Sequence, residues 1–100
     1  AVAVGADGTV YVADASNNTI RKITSAGVVT TLAGSASNYN YGSTNGQGTA
    51  AKFNYPYGVA VGVDGAVYVA DYYNFAIRIN LKVDQKTTKF FDFRNCCFLN

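Results

Sequence analysis

The sequence contains no histidine, methionine, tryptophan or glutamate, and it has one proline and two cysteines. Without histidine and glutamate, imidazole metal sites and most pairs of nucleophile and base are excluded from these 100 residues. We therefore predict that the chain is not an enzyme and that it holds no metal or other cofactor. No apolar run approaches the roughly 18 residues of a membrane-spanning helix, so no membrane span is predicted.

The two cysteines, Cys96 and Cys97, are adjacent and cannot link distant parts of the chain. They are candidates for a strained disulfide with each other, for a bond to another chain, or for free thiols. Asn17 begins an Asn-Asn-Thr triplet that fits the N-glycosylation pattern. Together these features favour a secreted or cell-surface protein. Because the chain begins without Met and inside a strand pattern, we expect a processed product or a piece of a longer protein.

The net charge of +2 is small, and its distribution is uneven. A mildly basic C-terminal segment places five cations against two carboxylates, namely Arg78, Lys82, Lys86, Lys89 and Arg94 against Asp84 and Asp92. A solvated strand edge protected by lysines is the favoured interpretation. An RNA-binding surface through this segment is the alternative, although we do not expect nucleic acid to be the main partner.

A repeat dominates the sequence: Val2–Asp14 returns 57 positions later as Val59–Asp71. Between Val2 and Arg21, 14 of 20 positions are identical to their counterparts. Self-similarity at a fixed period indicates supersecondary units that bury their apolar faces by stacking on one another. The predicted fold is all-β, with two four-stranded antiparallel blades of a larger or assembled β-propeller.

The expected strands of the first copy are residues 1–4, 10–13, 19–23 and 28–33, and those of the second are 57–61, 67–70, 76–79 and 85–91. In the third strand of the first copy, Ile20 and Ile23 are expected to face inward and Arg21 and Lys22 outward. Asp7-Gly8 predicts a hairpin in which both turn residues have positive φ.

Thr87 and Thr88 align with Thr30 and Thr31, which predicts the same register for both fourth strands. Asn80 aligns with Ile23, which predicts that the third strand of the second copy slips by one residue. The resulting division is 1–33 for blade 1, 34–56 for a connection, 57–91 for blade 2 and 92–100 for a tail of unknown role.

The connection is rich in Gly, Ser, Asn and Tyr, a composition that is found in versatile binding surfaces. Its length indicates either a functional loop or a structural linker. After Asp71, large aromatic residues replace the small and polar residues of the first copy, which indicates a contact surface for a partner or packing against the connection. The candidate partner-contact residues are Tyr39, Tyr41, Tyr55, Tyr57, Tyr72, Tyr73 and Phe75.

Four aspartates form two equivalent pairs, Asp7 with Asp14 and Asp64 with Asp71. We predict that they bond to turn backbones. A shared calcium site is the alternative.

Residues 53–61, Asp64-Gly65 and Val67–Asp71, followed by Asn74, Ile77 and Arg78, resemble the NHL repeat in its long-linker variety. The first copy resembles it as well. This resemblance covers residues 1–79 and implies propeller blades whose loops bind protein, carbohydrate or RNA in different members. Some relatives are lyases with histidine-bound metal, a role that no residue here can take. Gly5 and Gly62 stand where the family usually has Asp, so a capping contact after the first strand is expected to be absent, and Phe75 replaces a usual Asn.

The sequence therefore favours a non-catalytic propeller segment that acts as an extracellular structural or binding module. Its expected partners are other blades, in the same chain or by self-association, and a protein or carbohydrate ligand. Two alternatives stay open: RNA binding, and a fragment of a lyase-type or lactonase-type enzyme whose catalytic residues lie outside this chain.

Overall fold

The computed structural model describes residues 1–82 and 88–92, with side chains up to residue 80. Its described residues form two four-stranded antiparallel sheets, each with its strands in chain order. The first sheet contains β1 (Val2–Val4), β2 (Val10–Asp14), β3 (Thr19–Ile23) and β4 (Val29–Gly34). The second contains β5 (Pro56–Val61), β6 (Val67–Asp71), β7 (Ala76–Lys82) and β8 (Thr88–Asp92). This arrangement confirms the predicted all-β fold with two blade-like sheets.

The hairpins β1–β2 and β5–β6 use the same turn. In the first, the Gly8 N–H donates to the Gly5 carbonyl and the Gly5 N–H donates to the Thr9 carbonyl. Gly8 has a φ of 88°, whereas Asp7 is not among the residues with positive φ. The prediction of positive φ at both turn positions is therefore wrong. The Asp7 carboxylate instead accepts a hydrogen bond from the Thr9 N–H at 3.0 Å, which satisfies the turn backbone.

The third strand of the first sheet follows the predicted alternation only in part. Ile20 is fully buried, whereas Ile23, Arg21 and Lys22 are all half-buried. Ile20 pairs with Ala33 and Arg21 with Thr31, so Leu32 is the extra residue of a bulge in β4. Such a bulge disrupts the ladder and increases the local twist beside β3.

The strand register corrects two expectations for the second copy. Val67 pairs with Asn80 as Val10 pairs with Ile23, so the third strand does not slip, and Asn80 is buried in register. In contrast, β8 is shifted along its neighbour relative to the equivalent strand β4. Arg78 pairs with Asp92, whereas its counterpart Arg21 pairs with Thr31, so the predicted common register of the fourth strands is wrong by four residues. β7 is two residues longer than β3 and so extends the hairpin, which an alignment of threonine pairs does not report.

The core lies at the seam between the two sheets. Its buried members are Ala13, Ile20 and Ala33 from the first sheet, Ala51 and Phe53 from the connection, and Val67 and Val69 from the second sheet. Phe53 is fully buried and supplies the largest apolar side chain of this set. Full burial of such a side chain stabilises the fold by about 1.5–3 kcal/mol. The second half of the connection is thus part of the core rather than a free linker.

One face of each sheet lacks this cover. Ala70 is exposed and Ile77 half-buried, although their counterparts Ala13 and Ile20 are buried at the seam. Identical residues therefore occupy two environments, which depend on whether a neighbouring sheet covers them. None of the helical turns in the described part of the chain is long or apolar enough to cross a membrane.

Candidate functional site

Four tyrosines come together at the edge where β5 begins and β6 ends. We call Tyr55, Tyr57, Tyr72 and Tyr73 the tyrosine cluster. Tyr55 stacks on Tyr57 with ring centroids 6.2 Å apart, and the Tyr72 and Tyr73 rings meet edge to face at 5.0 Å. The Tyr55 ring lies 5.4 Å from that of Tyr73, so the two pairs form one aromatic surface. These distances are in the range at which aromatic pairs attract one another.

The backbone explains this convergence. A 3-10 turn, Tyr72–Asn74, follows β6, and its first two N–H groups donate to the carbonyls of Tyr55 and Asn54, at 3.3 and 3.1 Å. These bonds dock the turn against the segment that enters β5. The first copy has a similar turn, Ala15–Asn17, whose first two side chains are a methyl group and a hydroxyl group. The aromatic surface is therefore specific to the second sheet.

The seven predicted contact residues divide into three groups. Tyr41 lines a cavity together with Tyr55 and Tyr73, and thus adjoins the tyrosine cluster. Tyr39 is 83% exposed and does not line this cavity. Phe75 lines a separate apolar cavity of about 190 Å³ with Ala70 and Ile77, and Tyr72 reaches this cavity too.

The cluster adjoins a buried ion pair that sequence reasoning missed. The Arg78 Nη1 atom lies 2.8 Å from Asp71 Oδ2, and both side chains are almost entirely excluded from solvent. Arg78 also donates to the carbonyls of Lys52 and Thr44, and its guanidinium lies 4.9 Å from the centre of the Phe53 ring. The ion pair therefore fastens the connection to the second sheet. The only signal in the sequence was that the Asp and Arg positions recur in both copies.

The Asp71 carboxylate is held by several donors. Oδ1 accepts from the Asn54 N–H at 2.8 Å, and Oδ2 accepts from the Asn74 side chain at 2.6 Å as well as from Arg78. Burial raises the pKa of Asp71, while these hydrogen bonds and the positive charge of Arg78 act to lower it. Asp71 thus bonds a loop backbone, as predicted, and in addition neutralises a buried cation.

Asn18 makes long-range contacts that sequence reasoning did not predict. It is buried with a φ of 58°, and its Oδ1 accepts from the Tyr55 N–H at 2.8 Å while its Nδ2 donates to the Ser37 carbonyl at 3.0 Å. One amide therefore joins the first sheet to both ends of the connection. Phe75 occupies the same position in the second sheet, also with positive φ, and has no amide for such bonds.

The four aspartates do not converge on one point. Asp7 and Asp64 lie in the equivalent turns, which line a common cavity of about 220 Å³, whereas Asp14 accepts from Asn17 and Asp71 is buried in its ion pair with Arg78. In the described part of the chain, no group of three or more His, Cys, Asp or Glu residues could hold a metal ion. Burial and the nearby Asp7 raise the pKa of Tyr11, which lines the same cavity.

The turns also show how glycine fits at positions 5 and 62. A Cβ at Gly62 would lie 2.9 Å from the Asp64 Oδ1 atom, and one at Gly5 would lie 3.2 Å from Asp7 Oδ1. The aspartate two residues later therefore occupies this space and caps the turn. Asn17 is exposed on its 3-10 turn, whereas Cys96, Cys97 and the tail lie outside the described residues.

Comparison with known proteins supports the resemblance proposed from sequence. Residues 53–79, which extend from Phe53 through β5 and β6 into β7, match the family model described as NHL repeat. No protein with a curated description matches this chain.

Proposed function

We propose that this chain, whose residues 53–79 match the NHL repeat model, acts as a non-catalytic, propeller-type interaction module outside the cell. In this proposal the tyrosine cluster contacts a protein or carbohydrate partner. The module works as a part of a larger chain or assembly, because each of its sheets has a face that another blade can cover.

The observation that carries the proposal is the exposure of the tyrosine cluster. Tyr57, Tyr72 and Tyr73 are 64%, 57% and 56% exposed, although their rings lie together. A contiguous exposed aromatic surface is costly for a protein to keep in water and marks interaction sites. Tyrosine is also enriched where binding energy concentrates, since it supplies a large contact area with few rotatable bonds.

The first copy supplies the variant that tests this role. Replacing Tyr72 and Tyr73 with the Ala and Ser of the equivalent turn should preserve the fold, because that turn is already built from these residues. We expect the double variant to lose binding when it is compared with the unmodified chain on a panel of extracellular proteins and polysaccharides. Tyr39→Ser is the matched control, because it removes an exposed tyrosine that lies outside the cluster. Unchanged binding by the double variant would refute the proposal.

The uncovered sheet face supports self-association as a second candidate role. Ala70 and Ile77 on this face repeat the residues that the second sheet covers on the first. Light scattering on a sizing column should give a mass above that of the monomer, and Ile77→Lys should reduce it. Val63→Lys is the control, because Val63 lies fully exposed in a turn. A monomer at all concentrations would exclude this role for the chain by itself.

The location outside the cell rests on Asn17, whose side chain lies on an exposed turn within a glycosylation triplet. Treatment of the natural protein with an N-glycosidase should lower its mass, and Asn17→Gln should abolish that change. RNA binding draws less support, because Arg78 is buried in an ion pair and is not available to phosphate. A salt-dependent affinity for RNA would restore that alternative.

A further inference from the structure

Tyr55 separates two open cavities at the tyrosine cluster. One, of about 320 Å³, is lined by the tyrosines Tyr55, Tyr57 and Tyr72. The other, of about 340 Å³, carries the side chains of Asn18, Asn38 and Asn54 among the rings of Tyr41, Tyr55 and Tyr73. Volumes of roughly 300–1,000 Å³ are those of sites for small ligands. The two cavities thus offer a ligand an aromatic half and an amide-rich half.

The backbone holds Tyr55 in a costly conformation. Its φ is 57°, and it directly precedes Pro56. Positive φ is unfavourable for a bulky side chain, and the residue before a proline strongly prefers an extended backbone. The Tyr55 N–H is nevertheless fixed to Asn18, and its carbonyl to the Tyr72 N–H. Such strain concentrates at ligand-binding positions, where the surrounding structure fixes a side chain in advance.

The described residues that line the two cavities are uncharged. The side-chain amides of Asn38 and Asn54 have no hydrogen-bond partner in the part of the chain that the structure describes. Each amide offers both donors and an acceptor, which suits hydroxyl groups that also donate and accept. The ring faces suit a flat surface of C–H groups. A ligand with both properties and no charge is a pyranose sugar.

We infer that the tyrosine cluster binds a neutral oligosaccharide, with one sugar ring against Tyr55 and its neighbour hydrogen-bonded in the amide-lined cavity. This inference rests on the proposed function and specifies its ligand class. The small size of each cavity favours such a ligand over a protein, because a stable protein interface needs a broad area with an apolar centre. Acidic polysaccharides would find no cation among the described residues of either cavity.

The test titrates the full 100-residue chain with hexasaccharides of β-1,4-glucan, β-1,3-glucan, α-1,4-glucan and β-1,4-mannan, followed by calorimetry and by tyrosine fluorescence. The absence of tryptophan makes the tyrosine signal readable. Tyr55→Gly is the main variant, because glycine accepts positive φ and should keep the fold. Tyr72→Ala is a second variant that leaves Tyr55 unchanged. Tyr39→Gly is the control, and circular dichroism verifies that every variant folds.

We expect at least one neutral hexasaccharide to bind, and its Kd to rise about tenfold or more in both cluster variants but not in the control. Two results would overturn the inference: no binding of any hexasaccharide at millimolar concentration, or binding that survives both cluster variants. If no sugar binds but the Tyr72→Ala/Tyr73→Ser variant loses a protein partner, the proposed function stands and only the ligand class is wrong. If neither sugar binding nor protein binding responds to these changes, both proposals fail.

Discussion

Asp71 and Arg78 form an ion pair at 2.8 Å with both side chains buried, whereas the same two residue types in the first sheet, Asp14 and Arg21, are only half-buried. Within the first sheet, which is described in full, Asp14 bonds to Asn17 and Arg21 to the Thr30 carbonyl. The difference arises because the connection covers Arg78 and supplies three further hydrogen-bond acceptors to its two terminal nitrogens. A repeated sequence thus yields one structural ion pair and one pair of separate surface groups.

This contrast gives a matched prediction. Asp71→Asn should destabilise the fold by about 3–5 kcal/mol, because it leaves the buried Arg78 guanidinium without a counter-charge. Asp14→Asn should change stability by less than about 0.5 kcal/mol, since Asp14 is half-buried and neutralises no buried cation. Urea denaturation followed by far-ultraviolet circular dichroism measures both. Equal effects at the two positions would show that the buried Asp71–Arg78 ion pair does not add to the free energy of unfolding.

The sequence was sufficient to predict what depends on local pattern. Val-Tyr-Val-Ala-Asp predicted both β2 and β6, and the Asp-Gly pairs predicted both hairpins, because alternation and turn chemistry act within a few residues. It could not predict that Ile20 is buried whereas Ile77 is only half-buried, since burial depends on whether another sheet lies opposite. The β8 register was missed for a similar reason: the pairing of Arg78 with Asp92 depends on the length of the hairpin.

For the candidate site, too, the sequence predicted the local features but not the contacts between distant segments. The aromatic replacements at Tyr72 and Tyr73 indicated a surface feature, and their position after Asp71 placed it on a loop. Their convergence with Tyr55 required two hydrogen bonds between segments 17 or more residues apart. The contact of Asn18 with Tyr55 was not predictable, because the two residues are 37 positions apart in the sequence.

The two equivalent isoleucines provide a second matched test. Ile20→Ala should cost about 2–5 kcal/mol, because Ile20 is fully buried at the seam and its loss leaves a cavity. Ile77→Ala should cost clearly less in the monomer, where one side of Ile77 already faces solvent. Thermal unfolding at low protein concentration measures the monomer. If Ile77→Ala becomes equally costly as concentration rises, its face is covered by another molecule. Equal costs at all dilutions would contradict the burial described above.

Two glycines with left-handed backbone provide a third test. Gly34 has a φ of 89°, and a Cβ there would overlap the carbonyl oxygen of Asn18, whereas Gly27 has a φ of 88° and open space around it. Gly27→Ala should therefore cost about 1–2 kcal/mol from the backbone conformation alone. Gly34→Ala should cost more, because β3 and β4 must also move apart. Chemical denaturation of both variants compares them directly, and a Gly34→Ala variant no weaker than Gly27→Ala would refute the close contact.

Phe75 provides the fourth test, because it combines a φ of 53° with 81% exposure. Asparagine tolerates this conformation far better than phenylalanine, and the equivalent Asn18 already adopts it. Phe75→Asn should therefore stabilise the monomer by about 0.5–1 kcal/mol, since the exposed ring contributes little burial.

Phe75→Ala is the control for this change, because it also removes the ring but introduces a residue that tolerates positive φ less well than asparagine. The difference in unfolding free energy between the two variants measures the effect of the backbone conformation alone. If Phe75→Asn is less stable than the unmodified chain, the ring makes contacts that outweigh the strain. If it is more stable but impairs self-association, then the strained phenylalanine is retained for the contact at the cavity that it shares with Ala70 and Ile77.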